Sequence, residues 1–106
     1  MLAVTERSNF VYTYVMELAF DPMKRKANIA KHGVDFLVAA RVFLDPFRLD
    51  APDDRVDYKE ERRLCLGLVE GRAYVVIYVV RQATRRIISA RKANEREQRK
   101  YREVQA

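Results

Sequence analysis

The residues of this chain best suited to chemistry are few and basic. His32 and Lys31 close one predicted helix. Arg86 and Arg91 lie on a predicted strand, with Lys92 after it. Glu95, Glu97 and Tyr101 follow on the next predicted helix. Cleaving an RNA phosphodiester without a metal needs three things: a base for the ribose 2′-OH, cations for the crowded phosphate and an acid for the leaving 5′-oxygen. His, Lys, Arg, Glu and Tyr can fill those roles. Each also has a plainer reading. A histidine at a helix end caps it, an arginine at a strand end makes a surface ion pair, and a tyrosine docks its helix.

Other chemistries fit poorly. The chain has one His and one Cys, too few for a multi-cysteine zinc site or a disulfide framework. Cys65 sits mid-strand, where a buried thiol is the ordinary reading. The acidic segment Pro52–Glu61 lacks the EF-hand spacing and reads as a solvated loop. There is no Walker A, dinucleotide-binding or G-x-S-x-G pattern. No metal site and no cofactor is expected.

Elements that could position these groups follow from the patterning. The chain has 106 residues, 49% hydrophobic and 34% charged, and reads as one soluble domain. Residues 1–14 form an unassigned N-terminal extension and 15–106 the domain. Met16, Leu18 and Phe20 alternate as a strand. Asp21-Pro22 starts a helix as N-cap and N1, and Gly33 ends it in the left-handed conformation. Met23, Ala27 and Ala30 make its apolar stripe. Asp35 caps a second helix whose stripe is Phe36, Ala39, Ala40 and Phe43. Phe47–Ala51 reads as a short edge strand. Leu64, Leu66 and Leu68 alternate in a strand, Glu70-Gly71 turns a hairpin, and Ala73–Val80 is the central strand. Arg85–Arg91 completes the sheet, with Ile88 and Ala90 on one face and Ile87, Ser89 and Arg91 on the other. Asn94 with Glu97 makes a capping box for the last helix, whose only apolar residues are Tyr101 and Val104. Such a thin face suggests an exposed or partner-covered helix. The order points to an α+β domain with a small antiparallel sheet, two N-terminal helices and one C-terminal helix.

Charge is segmented. The net charge is +6, yet Pro22–Arg41 carries +4, Asp45–Glu61 carries −4 and Arg81–Arg102 carries +7. A basic small domain suggests a polyanion, nucleic acid first. The longest apolar run is too short to cross a membrane, and no secretory signal is evident, so a cytoplasmic location is the default.

Two stretches narrow this further. The first is Phe20-Asp21-Pro22, Lys24, Asn28, Lys31-His32-Gly33-Val34, Phe36, Ala39, Val42-Phe43 and Asp45-Pro46. The second is Arg86–Ala93 with Glu97 and Tyr101, and Arg62 and Gly67 fall between them. Together they resemble the BrnT toxin family over residues 16–103, and the extension before that departs from it. The resemblance implies a RelE-like fold and a type II toxin that cleaves RNA without metal and inhibits translation. It also implies a BrnA-type antitoxin with a ribbon-helix-helix domain, in a heterotetramer of two toxins and two antitoxins. Operator DNA would be bound only through the antitoxin, and the pair would repress its own operon. On the matching residues, His32 or Glu97 would move the proton, and Lys31, Arg86 and Arg91 would hold the phosphate. Tyr101 would stack on or orient a nucleotide, and Lys24 and Lys92 would join Lys31 in binding RNA. The competing readings are a non-catalytic nucleic-acid-binding module and an inactive toxin homologue kept as an interaction partner.

Overall fold

The computed structural model describes residues 17–55 and 59–105, so the expected N-terminal extension lies outside the described residues. Its elements run β1 (Glu17–Ala19), α1 (Pro22–His32), α2 (Phe36–Ala39), a 3-10 helix (Ala40–Leu44), β2 (Leu49–Pro52), β3 (Arg63–Val69), β4 (Arg72–Arg81), β5 (Thr84–Lys92) and α3 (Glu95–Gln105). No helix among them is long and apolar enough to cross a membrane.

The end signals act as the residue types dictate. Asp21 accepts a hydrogen bond from Met23 N at 2.8 Å, Pro22 takes the first helical position, and Gly33 adopts φ 68°. Asp35 accepts from Leu37 N at 3.0 Å. Phe36, Ala39, Ala40 and Phe43 are all buried, as their spacing predicts. Asn94 and Glu97 exchange two 2.8 Å bonds, a complete capping box.

Two features of the helices differ from expectation. Both early helices follow the expected first strand, so the description of them as an N-terminal pair is corrected, and the second is one α turn that tightens into the 3-10 helix. The Met23, Ala27 and Ala30 stripe faces outward, with Met23 71% exposed. Helix α1 docks through a polar residue instead. Buried Asn28 donates to Ala90 O at 2.7 Å and to Val34 O at 2.9 Å, and accepts from Ala90 N at 3.1 Å. Its carboxamide thus stands in for a neighbouring strand along β5, beyond the stretch that pairs with β1.

The five strands form one mixed sheet in the order β1-β5-β4-β3-β2. Strands β2 to β5 are an antiparallel meander with β4 at the centre, while β1 pairs with β5 in parallel. The expected all-antiparallel sheet is corrected on that point, because alternation reports a strand's faces and not its direction. The Glu70-Gly71 turn has φ 50° and 81°, suited to a tight hairpin, while the β4–β5 turn puts two non-glycine residues, Gln82 and Ala83, at φ 51° and 65°.

A β-bulge changes the faces of β5. Ile77 pairs with Ser89 and Tyr78 with Ile87, so Ile88 is the extra residue. Ile87 and Ala90 therefore share one core and Ile88 joins the other, which exchanges Ile87 and Ile88 relative to the expected faces and leaves Ala90, Ser89 and Arg91 as expected. The larger core lies on the helix side: Phe36, Val42 and Phe43 pack on Cys65, Val76, Tyr78 and Ile87. Gly67 allows this contact, since a Cβ there would come within 3.1 Å of Val42 Cβ and 3.2 Å of Val42 O. The other face carries a smaller core of Leu66, Val75, Ile77, Ala93 and Tyr101 beneath α3. Of the two apolar residues of α3, Tyr101 is buried and Val104 is 58% exposed.

Candidate active site

The α3 side of the sheet brings together two of the expected residues. Arg91 and Glu97 form a two-pronged ion pair, NH1 to Oε1 at 2.8 Å and NH2 to Oε2 at 2.9 Å. The strand end supplies Arg91, and the capping box fixes Glu97, whose Oε1 also accepts from Asn94 N. The Arg91 guanidinium holds the Glu97 carboxyl below its ordinary range against the opposing effect of burial, and Glu97 in turn raises Arg91. Both groups are therefore charged at neutral pH, and both oxygens of Glu97 are occupied.

A second charged pair reaches the same field. Asp53 is buried and bonds Arg55 Nε at 2.7 Å and NH2 at 2.9 Å. Arg55 opposes the charge of Arg91 and favours that of Glu97, and Asp53 favours that of Arg91. The segment read as a solvated acidic loop thus contributes a buried carboxylate. The sequence signal was available in an acid placed two residues before an arginine, but the acidic surroundings of Asp53 masked it.

Beside these pairs runs an open groove. Leu49, Ala51, Leu64 and Leu66 line it with apolar surface, and Arg96, Glu97 and Lys100 of α3 give it charge. An apolar floor with a cationic rim suits a planar base joined to a phosphate.

The other expected residues are distributed more widely. Arg86 faces the same side as Arg91 by alternation and the bulge, but five residues earlier, roughly 16 Å at strand rise. Tyr101 lies one turn beyond Glu97 with its ring in the small core, and its hydroxyl donates to Asp45 Oδ2 at 2.5 Å. Burial, then the Asp45 bond, pushes the Tyr101 hydroxyl up to about 12. Asp45 also accepts from Leu68 N at 2.8 Å and Phe47 N at 2.9 Å, so this contact ties α3 to the turn before β2. His32 is four residues past Asn28, hence one turn further along the helix face that meets β5. It is half-buried, and its side chain makes no hydrogen bond or ion pair with the described residues. Lys24 and Lys31 are exposed on α1, and Lys92 is exposed at the end of β5. Among the described residues no three His, Cys, Asp or Glu side chains gather as a metal-binding group.

The family model for the ribonuclease toxin BrnT, of type II toxin-antitoxin systems, matches residues 20–97. The chain belongs to the BrnT family. No curated protein matches it. The match contains α1, the whole β2–β5 meander and the Arg91–Glu97 pair, and it ends at Glu97 itself. Membership in BrnT makes this a ribonuclease toxin of a type II system, and that class implies an antitoxin partner.

Proposed function

We propose that the chain is a metal-independent endoribonuclease whose reactive centre is Arg91 on the α3 side of the sheet. The observation that carries this reading is the Arg91–Glu97 pair beside an apolar groove. In the reaction, the ribose 2′-oxygen attacks phosphorus and the bond to the 5′-oxygen breaks. The products are a 2′,3′-cyclic phosphate and a free 5′-hydroxyl, whose oxygen takes its proton from solvent water as it leaves. Negative charge grows on the phosphoryl oxygens, and a preorganised guanidinium beside them lowers the barrier. Glu97 is ionised and fully engaged, which suits it to orienting Arg91 as a positioning residue. The proton of the 2′-hydroxyl is assigned to His32, half-buried on the helix face beside β5. Arg86 holds a phosphate further along the strand, and Lys24, Lys31 and Lys92 attract the polyanion. Tyr101 holds α3 over the groove.

The same reading includes a RelE-like arrangement, arrest of translation, a cytoplasmic location and neutralisation by a BrnA-type antitoxin in a two-plus-two assembly that represses its operon. The thin packing of α3 supports a surface covered by that partner. The test is cleavage of RNA by the purified chain in EDTA, with analysis of product ends. Cyclic phosphate ends in EDTA are expected. Loss of activity in EDTA would remove the metal-free mechanism. Salt-sensitive binding with no cleavage would favour the non-catalytic module. A pH–rate profile of His32→Gln that keeps the wild-type acid limb would remove the proton role of His32.

A further inference from the structure

The helix-side face holds an arginine that the proposed reaction does not use. Arg85 lies at the start of β5, with its guanidinium carbon 4.3 Å from the centre of the Phe43 ring and 5.9 Å from that of Tyr78. Its Nε is buried and has no hydrogen-bond partner. Neighbouring charges are already matched. Asp50 accepts from Arg63 Nε at 2.8 Å and from the Tyr78 hydroxyl, and Arg48 donates to Asp45 O at 3.1 Å. Arg85 makes no ion pair among the described residues. Stacked on two rings, its planar fork is fixed in place, and its donors remain unspent. A buried donor left unpaired calls for a ligand or other explanation, and a stacked guanidinium is shaped for a phosphate.

The strand direction connects this group to the other face. Arg85 and Arg86 are consecutive in β5, so their side chains leave on opposite sides of the sheet. Arg86 shares its side with Arg91. A strand of RNA passing from Arg91 to Arg86 can therefore turn over the end of the sheet at the β4–β5 hairpin and meet Arg85. We propose that Arg85 is a second RNA-phosphate-binding residue, on the helix-side face, gripping a phosphodiester remote from the scissile one. The ligand assignment rests on the ribonuclease reading above.

The test uses a 2′-O-methyl oligoribonucleotide, which cannot be cleaved, with the full chain. Arg85→Ala is expected to weaken its binding about tenfold and to lower the salt slope by ~0.7, the contribution of one phosphate contact on a single strand. Cleavage of a dinucleotide, too short to reach Arg85, should keep its wild-type kcat/KM. Arg85→Gln keeps a planar group over Phe43 and should bind like Arg85→Ala, which separates lost charge from lost packing. In the wild type, the Arg85 Nε–H NMR signal should shift on titration with the oligonucleotide. Unchanged affinity and slope in Arg85→Gln, or an unmoved signal while RNA binds, would overturn this inference alone. A signal that moves equally with inorganic phosphate, with no loss of oligonucleotide affinity in Arg85→Gln, would make the site one for a free anion and also overturn it. A wild type that neither binds nor cleaves RNA would overturn the ribonuclease reading as well.

Discussion

The two faces of the sheet are built on different principles. On the helix side, fully buried Phe36, Val42, Val76 and Ile87 fill a continuous core, closed by polar contacts such as Asn28 to Ala90. On the α3 side, the core is smaller, and much of the contact is electrostatic, through Arg91–Glu97 and Tyr101–Asp45. The first face carries stability. The second leaves charged groups and an apolar groove where a substrate or partner can reach them. Stability and the Arg91 centre are thus placed on opposite sides of a single sheet, with His32 and Arg85 the two proposed RNA-side groups on the helix side, and mutations on the two sides should behave differently.

The largest effect is expected on the helix side. Phe36→Ala should cost about 3–5 kcal/mol, since it removes a fully buried ring from a close-packed core. Chemical denaturation measures this. A cost no larger than that of Val104→Ala would erase the contrast between the faces.

Tyr101→Phe comes next. It keeps the ring but removes the donor from Asp45, and should cost about 1–3 kcal/mol. The fold should survive, with α3 losing protection from hydrogen exchange before β4 does. Equal loss in both elements would show that α3 is not the weakly held part.

A smaller effect concerns acid. The hydrogen bond from Arg25, then that from Leu37 N, holds the Asp35 carboxyl at about 2, below its ordinary 3.8. A lowered carboxylate contributes stability above its unfolded value, and that contribution is lost as pH falls through about 2. Because the pair is partly exposed, less than about 1 kcal/mol is expected. Asp35→Asn should flatten the acid limb of the stability–pH curve between those values, and an unchanged limb would contradict the assignment.

The β4–β5 hairpin gives a comparably small effect, of opposite sign. Ala83 holds φ 65°, where a Cβ is strained. Ala83→Gly should raise stability by about 1 kcal/mol, read as a higher denaturation midpoint. A lower midpoint would mean that the turn is not strained.

How much of this was readable beforehand depends on range. Helix ends are local events, and Asp21, Gly33, Asp35 and the Asn94–Glu97 box announced them. The buried stripe of Phe36, Ala39, Ala40 and Phe43 was equally plain. The outward turn of Met23, Ala27 and Ala30 was not, because α1 is anchored by Asn28 to a strand 62 residues away. The bulge at Ile88 leaves no mark in a run of aliphatic residues, so the faces of Ile87 and Ile88 came out exchanged. Of the site, Arg91 and Glu97 were legible and do meet. Asp53 with Arg55 was hidden among acids, and the solitary stacking of Arg85 depends on Phe43 and Tyr78, distant in sequence.

The central claim is that the α3 face is the reactive one and Arg91 its key cation. The direct measurement is kcat/KM for cleavage of one defined RNA in EDTA, wild type against Arg91→Ala, with near-native circular dichroism required of both. A fall of about 10²–10³-fold is expected, the usual cost of removing one transition-state charge donor. Cleavage by folded Arg91→Ala at the wild-type rate would contradict the account.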